Sequence, residues 1–448
     1  MRQNEIVMRQ NNKFMTVFRV VSGNFMEMFD FMVYGYYASY IGQAFFPSDN
    51  PVVSLLNTFA VFGAAFLMRP LGAFMIGAYT DRVGRRKGLL LTLMLMAVGT
   101  FLIAVVPDYA YIGVAAPIIV FLSRLLQGFS AGAELGGTSV YLAEISNSSN
   151  RGFYVSWQSA SQQVAVIFAG GLGVLLHAYF SPVFIAGFAW RIPFFIGCLI
   201  APLLFYIRVS MTESAVFQKA AHHPQLREVV ASLVNDYKVI VLGMFMVAMT
   251  TASFYLITAY TPTFGKAELK LSDLDSLIVT VCIGLSNFLW LPVMGAVSDR
   301  VGRKPLLVGS TVLAIITVYP AMLWLASAPG FSRLIIVELW LSFLYGSYNG
   351  AMVVALTEIM PPRVRATGFS LAYSLATAFF GGFTPFICTW LIETARHLLS
   401  NDKAWLANSM PGVWLTLISV LSLSAILILY RWRTYLHDSH RREFEHVK

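Results

Sequence analysis

The chain has 448 residues, of which 57% are hydrophobic and only 12% charged, where soluble domains run nearer 25% charged. A mean hydropathy of +0.69 excludes an ordinary soluble domain and sets most of the length against lipid or other helices. The net charge of +9 does not point to nucleic acid. The basic residues sit in short gaps between apolar runs, the arrangement that orients helices in a bilayer.

Met1 to Lys13, within an expected cytoplasmic N-terminal segment 1–19, is polar and basic, and the first apolar run carries Glu27 and Asp30. Acids at that depth argue for a retained helix and against a cleaved signal peptide. A helix needs about 20 apolar residues to cross a core of roughly 30 Å. On that scale twelve spans are predicted. Six lie near 20–45, 54–80, 88–107, 111–142, 153–180 and 187–208, forming an N-terminal bundle over 20–208. A polar connector, 209–236, follows. Six more lie near 237–264, 274–297, 305–326, 332–357, 366–395 and 411–432, forming a C-terminal bundle over 237–432 before a tail, 433–448. With the N-terminus inside, 23 of the 31 basic residues fall on inner segments. That asymmetry puts both termini in the cytoplasm.

The two bundles repeat one another. Gly77-Ala-Tyr-Thr-Asp-Arg-Val-Gly-Arg-Arg86, after the second span, returns as Gly295-Ala-Val-Ser-Asp-Arg-Val-Gly-Arg-Lys304 after the eighth. Glu144 precedes Arg151 by seven residues after the fourth span, and Glu358 precedes Arg365 likewise after the tenth. Duplicated helical halves are the architecture of secondary transporters. Cys198, Cys282 and Cys388 lie inside apolar runs and read as small buried hydrophobes. The histidines form no metal-spaced cluster and no Gly-x4-Gly-Lys-Ser/Thr loop occurs. No cofactor, no metal and no ATP-driven cycle is expected, and no enzyme activity.

Twelve spans with both signatures in register resemble the major facilitator superfamily, over nearly the whole chain. Gly23-Asn24-Phe25-x-Glu27-x-Phe29-Asp30-Phe31, Arg69-Pro70-x-Gly72, Arg124-Leu-Leu-Gln-Gly-Phe-Ser130 and Trp190-Arg-Ile-Pro-Phe-Phe195 narrow the resemblance to its metabolite–proton symporters. Trp157-Gln-Ser-Ala-Ser-Gln-Gln163, Ser286-Asn-Phe-x-Trp-Leu-Pro292 and Tyr348-Asn-Gly-Ala-Met352 resemble the citrate and tricarballylate branch. The resemblance implies an all-helical fold in the bacterial inner membrane, working as a monomer on a small carboxylate and protons.

An ionisable group in the hydrocarbon core costs about 2.5–3.5 kcal/mol on insertion scales, so each asks for a partner or a task. Asp30 and Arg124 each lie about ten to twelve residues into their spans, roughly mid-membrane at 1.5 Å per residue. A direct Asp30–Arg124 pair is expected, either as a proton–substrate couple or as a staple between helices. Glu27, one turn from Asp30, and Glu134 are further proton candidates. Arg suits bidentate carboxylate binding, so Arg124, Arg69 and Arg191 are the cationic candidates; the last two can equally serve packing. Asn24, Tyr34, Gln127, Gln158, Gln162, Tyr255, Asn287, Tyr345, Tyr348 and Asn349 fall on polar stripes that line a cavity or tie helices. Asp81, Arg82, Arg85, Glu144 and Arg151 in one half, and Asp299, Arg300, Arg303, Glu358 and Arg365 in the other, read as ion networks that gate the inner face. The expected function is proton-coupled import of a tricarboxylate. The alternatives are a dicarboxylate, an aromatic acid or a betaine-like zwitterion. A receptor or membrane enzyme would need a sensor domain or catalytic cluster that the sequence lacks.

Overall fold

The structure, a computed structural model, describes residues 17, 21, 24–83, 85–132, 134–209, 236–360 and 365–445. Local chemistry explains where its helices begin. The Asn50 side chain accepts the Val52 N–H at 2.9 Å, and Pro51 takes the first helical position, where no N–H is needed; the helix Pro51–Leu67 follows. Ser272 accepts the Asp275 N–H at 3.0 Å and opens Asp273–Val301. Asp273 and Asp275 there face the positive end of the helix dipole. This helix stops at Gly302, whose φ of 97° lies in the left-handed region that side chains disfavour. Arg303 then begins Arg303–Ser327. In its second copy, the repeated basic stretch is thus a helix end, a reversal and a helix start.

Helices make up all the regular structure among the described residues. Nine of them are long and apolar enough to cross a bilayer. The other three predicted stretches hold shorter pieces: Asn24–Tyr36 and Ala38–Phe45 around a break at Tyr37, then Leu90–Val105, then Ala115–Ala131 followed by Glu134–Ile145. The last helix runs Met410–Glu445, through the predicted tail. Apart from Val17, the predicted N-terminal segment lies outside the described residues, as does most of the connector. Two π turns, Leu256–Tyr260 and Thr377–Gly381, interrupt helices of the second half. Such wide turns concentrate at functional sites.

The outside of the bundle is apolar, with Met94, Leu199, Leu289 and Ile316 exposed. The inside holds Asn24, Asp30, Arg69, Arg124, Gln127, Asn287 and Glu338, all buried. That distribution suits a lipid solvent and a polar interior. Arg151–Tyr179 packs along Asp273–Val301, and Asn24–Tyr36 packs on the first π turn. The two halves touch at both ends. At one end Tyr40 donates to Asp273 at 3.1 Å, and Lys266 pairs with the same carboxylate at 2.7 Å. At the other, Asp299 accepts the N–H groups of Gly152 and Phe153 at 2.8 and 3.0 Å. Midway, Asn287 donates to Gln163 at 3.1 Å.

Candidate functional site

Three glycines determine where Arg69 and Arg124 sit. A Cβ on Gly128 would lie 1.7 Å from the Ala65 carbonyl oxygen, one on Gly72 1.8 Å from that of Phe129, and one on Gly132 1.9 Å from that of Arg69. Only hydrogen fits there, so Ala115–Ala131 meets Pro51–Leu67 and Arg69–Val83 backbone to backbone. The crossing brings Arg69 and Arg124 into one layer on Phe31. Their guanidinium carbons lie 5.0 and 4.3 Å from its ring centroid. Arg124 also covers Tyr34 at 4.4 Å, and Arg69 covers Phe66 at 4.5 Å. Aromatic faces hold a desolvated cation without occupying its N–H groups.

The acids are distributed differently from the sequence expectation. Glu27 pairs with Arg69 at 2.7 Å, both nearly fully buried. Asp30 accepts hydrogen bonds from the Thr100 hydroxyl and the Gln127 amide. The Gln127 carbonyl oxygen in turn accepts from Arg124 Nη1 at 2.6 Å. The expected direct Asp30–Arg124 ion pair is therefore corrected: an amide stands between them. Gln127 is three residues beyond Arg124 on the same helical face, and the aromatic rings draw the guanidinium over themselves instead of toward the carboxylate. Asp30 Oδ1, Arg69 Nε, and Arg124 Nε and Nη2 are buried without a hydrogen-bond partner among the described residues. Unused charged donors in a sealed layer are what an incoming carboxylate can occupy.

The second half covers this layer with tyrosines. The Tyr255 ring meets Phe66 at 5.0 Å and Phe62 at 5.9 Å. The Tyr255 and Tyr373 hydroxyls lie within electrostatic reach of Glu27 and Arg69. Tyr345 sits beside both tyrosines and accepts from Asn349 at 3.2 Å. Sequence reasoning missed Tyr373 and Thr100, neither of which falls on a polar stripe that it picked out. A stripe search finds only polar residues that recur.

Other candidates are engaged elsewhere. Arg191 pairs with Asp108, donates to the Ile103 and Ala104 carbonyls at 3.2 Å each and stacks on Trp190 at 4.4 Å. It ties helix ends together and does not face the arginine layer. Tyr348 donates to the Met246 carbonyl at 2.6 Å within the second half. Asn287 also accepts from Ser342 at 2.7 Å, so it joins helices while it bridges the halves. Gln158 accepts from Ser159 at 2.8 Å, and Gln162 is buried on the same helix. The Tyr34 hydroxyl donates to the Thr58 carbonyl at 3.3 Å, while its ring serves Arg124. Asn24 is buried, its amide without a hydrogen-bond partner among the described residues.

In the network that the repeated motifs lead one to expect, Arg303 pairs with Asp299 at 2.8 Å and Glu358 at 3.4 Å, and Arg151 pairs with Glu358 at 3.7 Å. This cluster joins the halves instead of staying within one. Asp299 also caps the start of Arg151–Tyr179, facing its helix dipole. Arg300 is exposed, beside an apolar groove of Phe153, Trp157, Phe288 and Pro292, and lies outside the cluster. Arg365 is half-buried, its Nε without a partner among the described residues. The side chains of Asp81, Arg82, Arg85, Glu134 and Glu144 lie outside the described residues.

Comparison with known proteins places these features in a family. A profile described as Major Facilitator Superfamily matches residues 20–385. A citrate-proton symporter of Salmonella typhi is 54% identical over 417 residues, 93% of this chain and 94% of that protein. One of Klebsiella pneumoniae is 55% identical over 415 residues, 93% of this chain and 91% of that protein. A glycine betaine/proline/ectoine/pipecolic acid transporter of Dickeya dadantii is 30% identical over 415 residues, 90% of this chain and 80% of that one. Among solved structures, a D-xylose-proton symporter superimposes with a TM-score of 0.70 at 18% identity, covering 91% of this chain and 97% of that one.

Proposed function

The chain belongs to the Major Facilitator Superfamily, and on that premise we propose that it imports citrate, or a close tricarboxylate such as tricarballylate, together with protons by alternating access. In this reading twelve helices span the bacterial inner membrane, both termini are cytoplasmic, and the carrier works as a monomer. The Asp299 cluster is then the inner gate, and the Tyr40–Asp273–Lys266 cluster the outer one. The observation that carries the substrate class is the pair of buried guanidiniums, Arg69 and Arg124, in one layer with unused N–H donors. The 54–55% identity to citrate-proton symporters supports the same choice. The betaine transporters stand near 30%.

Coupling follows from the amide relay. A substrate carboxylate that takes the Arg124 Nε and Nη2 donors draws the guanidinium toward itself and pulls Nη1 off the Gln127 oxygen. Gln127 then no longer holds its amide N–H on Asp30, and the cation beyond it is neutralised. Asp30 loses a donor and a stabilising charge together, and takes a proton. Substrate and proton are bound jointly because each releases the other's competitor. Glu27 stands in the same relation to Arg69: a carboxylate that captures Arg69 leaves Glu27 to be protonated. Tyr255, Tyr345 and Tyr373 offer hydroxyls to the remaining carboxylate and hydroxyl oxygens.

The test is labelled citrate uptake into proteoliposomes under an imposed inward proton gradient, with unlabelled tricarballylate, dicarboxylates and betaine as competitors. Gradient-driven uptake blocked by tricarboxylates, and abolished in Asp30→Asn, is expected. Uptake blocked by betaine alone, or indifferent to the gradient, would sink the reading.

A further inference from the structure

We infer that Glu338 is a further proton-binding site of this carrier, separate from the arginine layer and linked through Thr261 to the π turn Leu256–Tyr260. The inference rests on the proton-coupled transport reading and adds a group to it. Glu338 is 3% exposed, in the helix Phe331–Ile359. Its one described partner is the Thr261 hydroxyl, 3.1 Å from Oε1; Oε2 has none among the described residues. The cations on neighbouring elements are used elsewhere. Lys266 holds Asp273, Arg396 holds Glu268 and Glu393, and Arg333 donates to Ser327 and the Trp324 carbonyl. A carboxylate buried with a single hydrogen bond and no counter-ion is far more stable as the neutral acid. Glu27 and Asp30, by contrast, have a guanidinium at or near hand.

The hydroxyl beside it has one proton and three claimants. Thr261 Oγ1 lies 2.8 Å from the Ile257 carbonyl oxygen and 3.3 Å from that of Leu256, both in the π turn, as well as 3.1 Å from Glu338. A hydroxyl donates once and accepts twice. When Thr261 donates to Ile257, its lone pair faces Glu338, and the contact is a hydrogen bond only if Glu338 supplies the proton. When Glu338 is ionised, it accepts the Thr261 hydrogen bond and the Ile257 carbonyl loses that hydroxyl. The next residue, Pro262, has no N–H to offer. The proton on Glu338 and the conformation of the π turn are therefore linked. Tyr255, on the other side of that turn, covers the arginine layer.

Position fits the direction of flow. Glu338 lies seven residues past the start of its helix, about 10 Å along the axis. This is the end of the bundle that carries Asp273, the outer end in the proposed orientation and the side from which protons arrive.

The experiment is the proton-to-citrate ratio of purified carrier in proteoliposomes, read from the membrane potential and pH gradient at which net citrate flux reverses. Parent, Glu338→Gln and Glu338→Asp are compared, and labelled-citrate counterflow shows which variants fold and bind substrate. The parent's ratio tests the transport reading by itself; a parent without coupling defeats that reading and this inference with it. With a coupled parent, Glu338→Gln is expected to lose one proton per citrate and Glu338→Asp to regain it. An unchanged ratio in a Glu338→Gln carrier that still performs counterflow overturns the inference. So does a loss of counterflow in Glu338→Gln that Glu338→Asp fails to restore, because that is the behaviour of a packing residue.

Discussion

Replacing Gln127 by Leu removes the link between cation and acid while keeping a side chain of similar length. Gln127 is fully buried and gives Arg124 an acceptor at 2.6 Å and Asp30 a donor. A hydrogen bond to a charged group contributes about 1.5–3 kcal/mol. In the empty carrier the Gln127→Leu variant forfeits both bonds. In the loaded carrier citrate already occupies Arg124 and the Gln127 amide has already left Asp30, so neither loss costs anything there. The empty state is thus destabilised by about 3–6 kcal/mol more than the loaded one, and citrate should bind at least roughly 150-fold more tightly. The same change should blunt coupling, because Asp30 no longer senses what Arg124 holds. Calorimetric titration of citrate at two pH values measures the first effect, and gradient-driven accumulation the second. Weaker binding with coupling intact would refute the reasoning, for it would mean that Arg124 swings directly on to Asp30 once the amide is gone.

Two other predictions concern helix positions. In Gly128→Ala the new Cβ starts 1.7 Å from the Ala65 oxygen, against an ordinary carbon–oxygen contact near 3.3 Å, so the helices must part by roughly 1.5 Å. A misplacement of that size at a binding layer costs about 100-fold in turnover; uptake within a few-fold of the parent at equal protein level would contradict it. In Asp299→Asn the charge-assisted cap on Arg151–Tyr179 and the pair with Arg303 are both lost, so the inner end should open more often. Thiol labelling of Ser156→Cys, at the Gly152–Gly295 crossing, should then quicken several-fold, and an unchanged rate would count against the gate.

Much of the architecture was readable in advance because membrane helices announce themselves by length and apolarity, and the repeated Asp-Arg-Val-Gly-Arg stretch announces duplication. The arginines of the site were legible for the same reason: Arg69 and Arg124 stand out where charge is costly. Their partners were not. Spacing along one helix says that Glu27 and Asp30 share a face, but not that Glu27 meets Arg69 or that Gln127 stands before Asp30. Those pairings depend on the depth of the helix crossing at Gly72, Gly128 and Gly132, a property of two chains of residues at once. Glu338 escaped because it is a single acid without a repeated partner, and the π turns because one extra residue per turn leaves no trace in the apolar pattern. Arg191 misled in the other direction: its place beside a span suggested a ligand, while Asp108, the residue that neutralises it, lies in the loop after another helix.

Charge balance in the sealed layer argues for one more participant. Arg69 and Arg124 are matched by Glu27 and Asp30, so the empty layer is neutral. Burying an unmatched charge costs several kcal/mol even after relaxation. A tricarboxylate can therefore enter only as protons arrive on the two acids, which frees both guanidiniums. Two freed cations match a dianion, so a tricarboxylate should be carried with one of its own carboxyls protonated. Glu27→Gln tests this, because Arg69 is then free before any substrate binds. The variant should bind citrate more tightly, by the strength of one charged hydrogen bond, or about tenfold or more. It should also move one proton fewer per citrate in the flux-reversal measurement. An unchanged ratio would show that the Glu27–Arg69 pair stays closed throughout the cycle and only fastens the first helix to the second, leaving Arg124 as the substrate's cation in this layer.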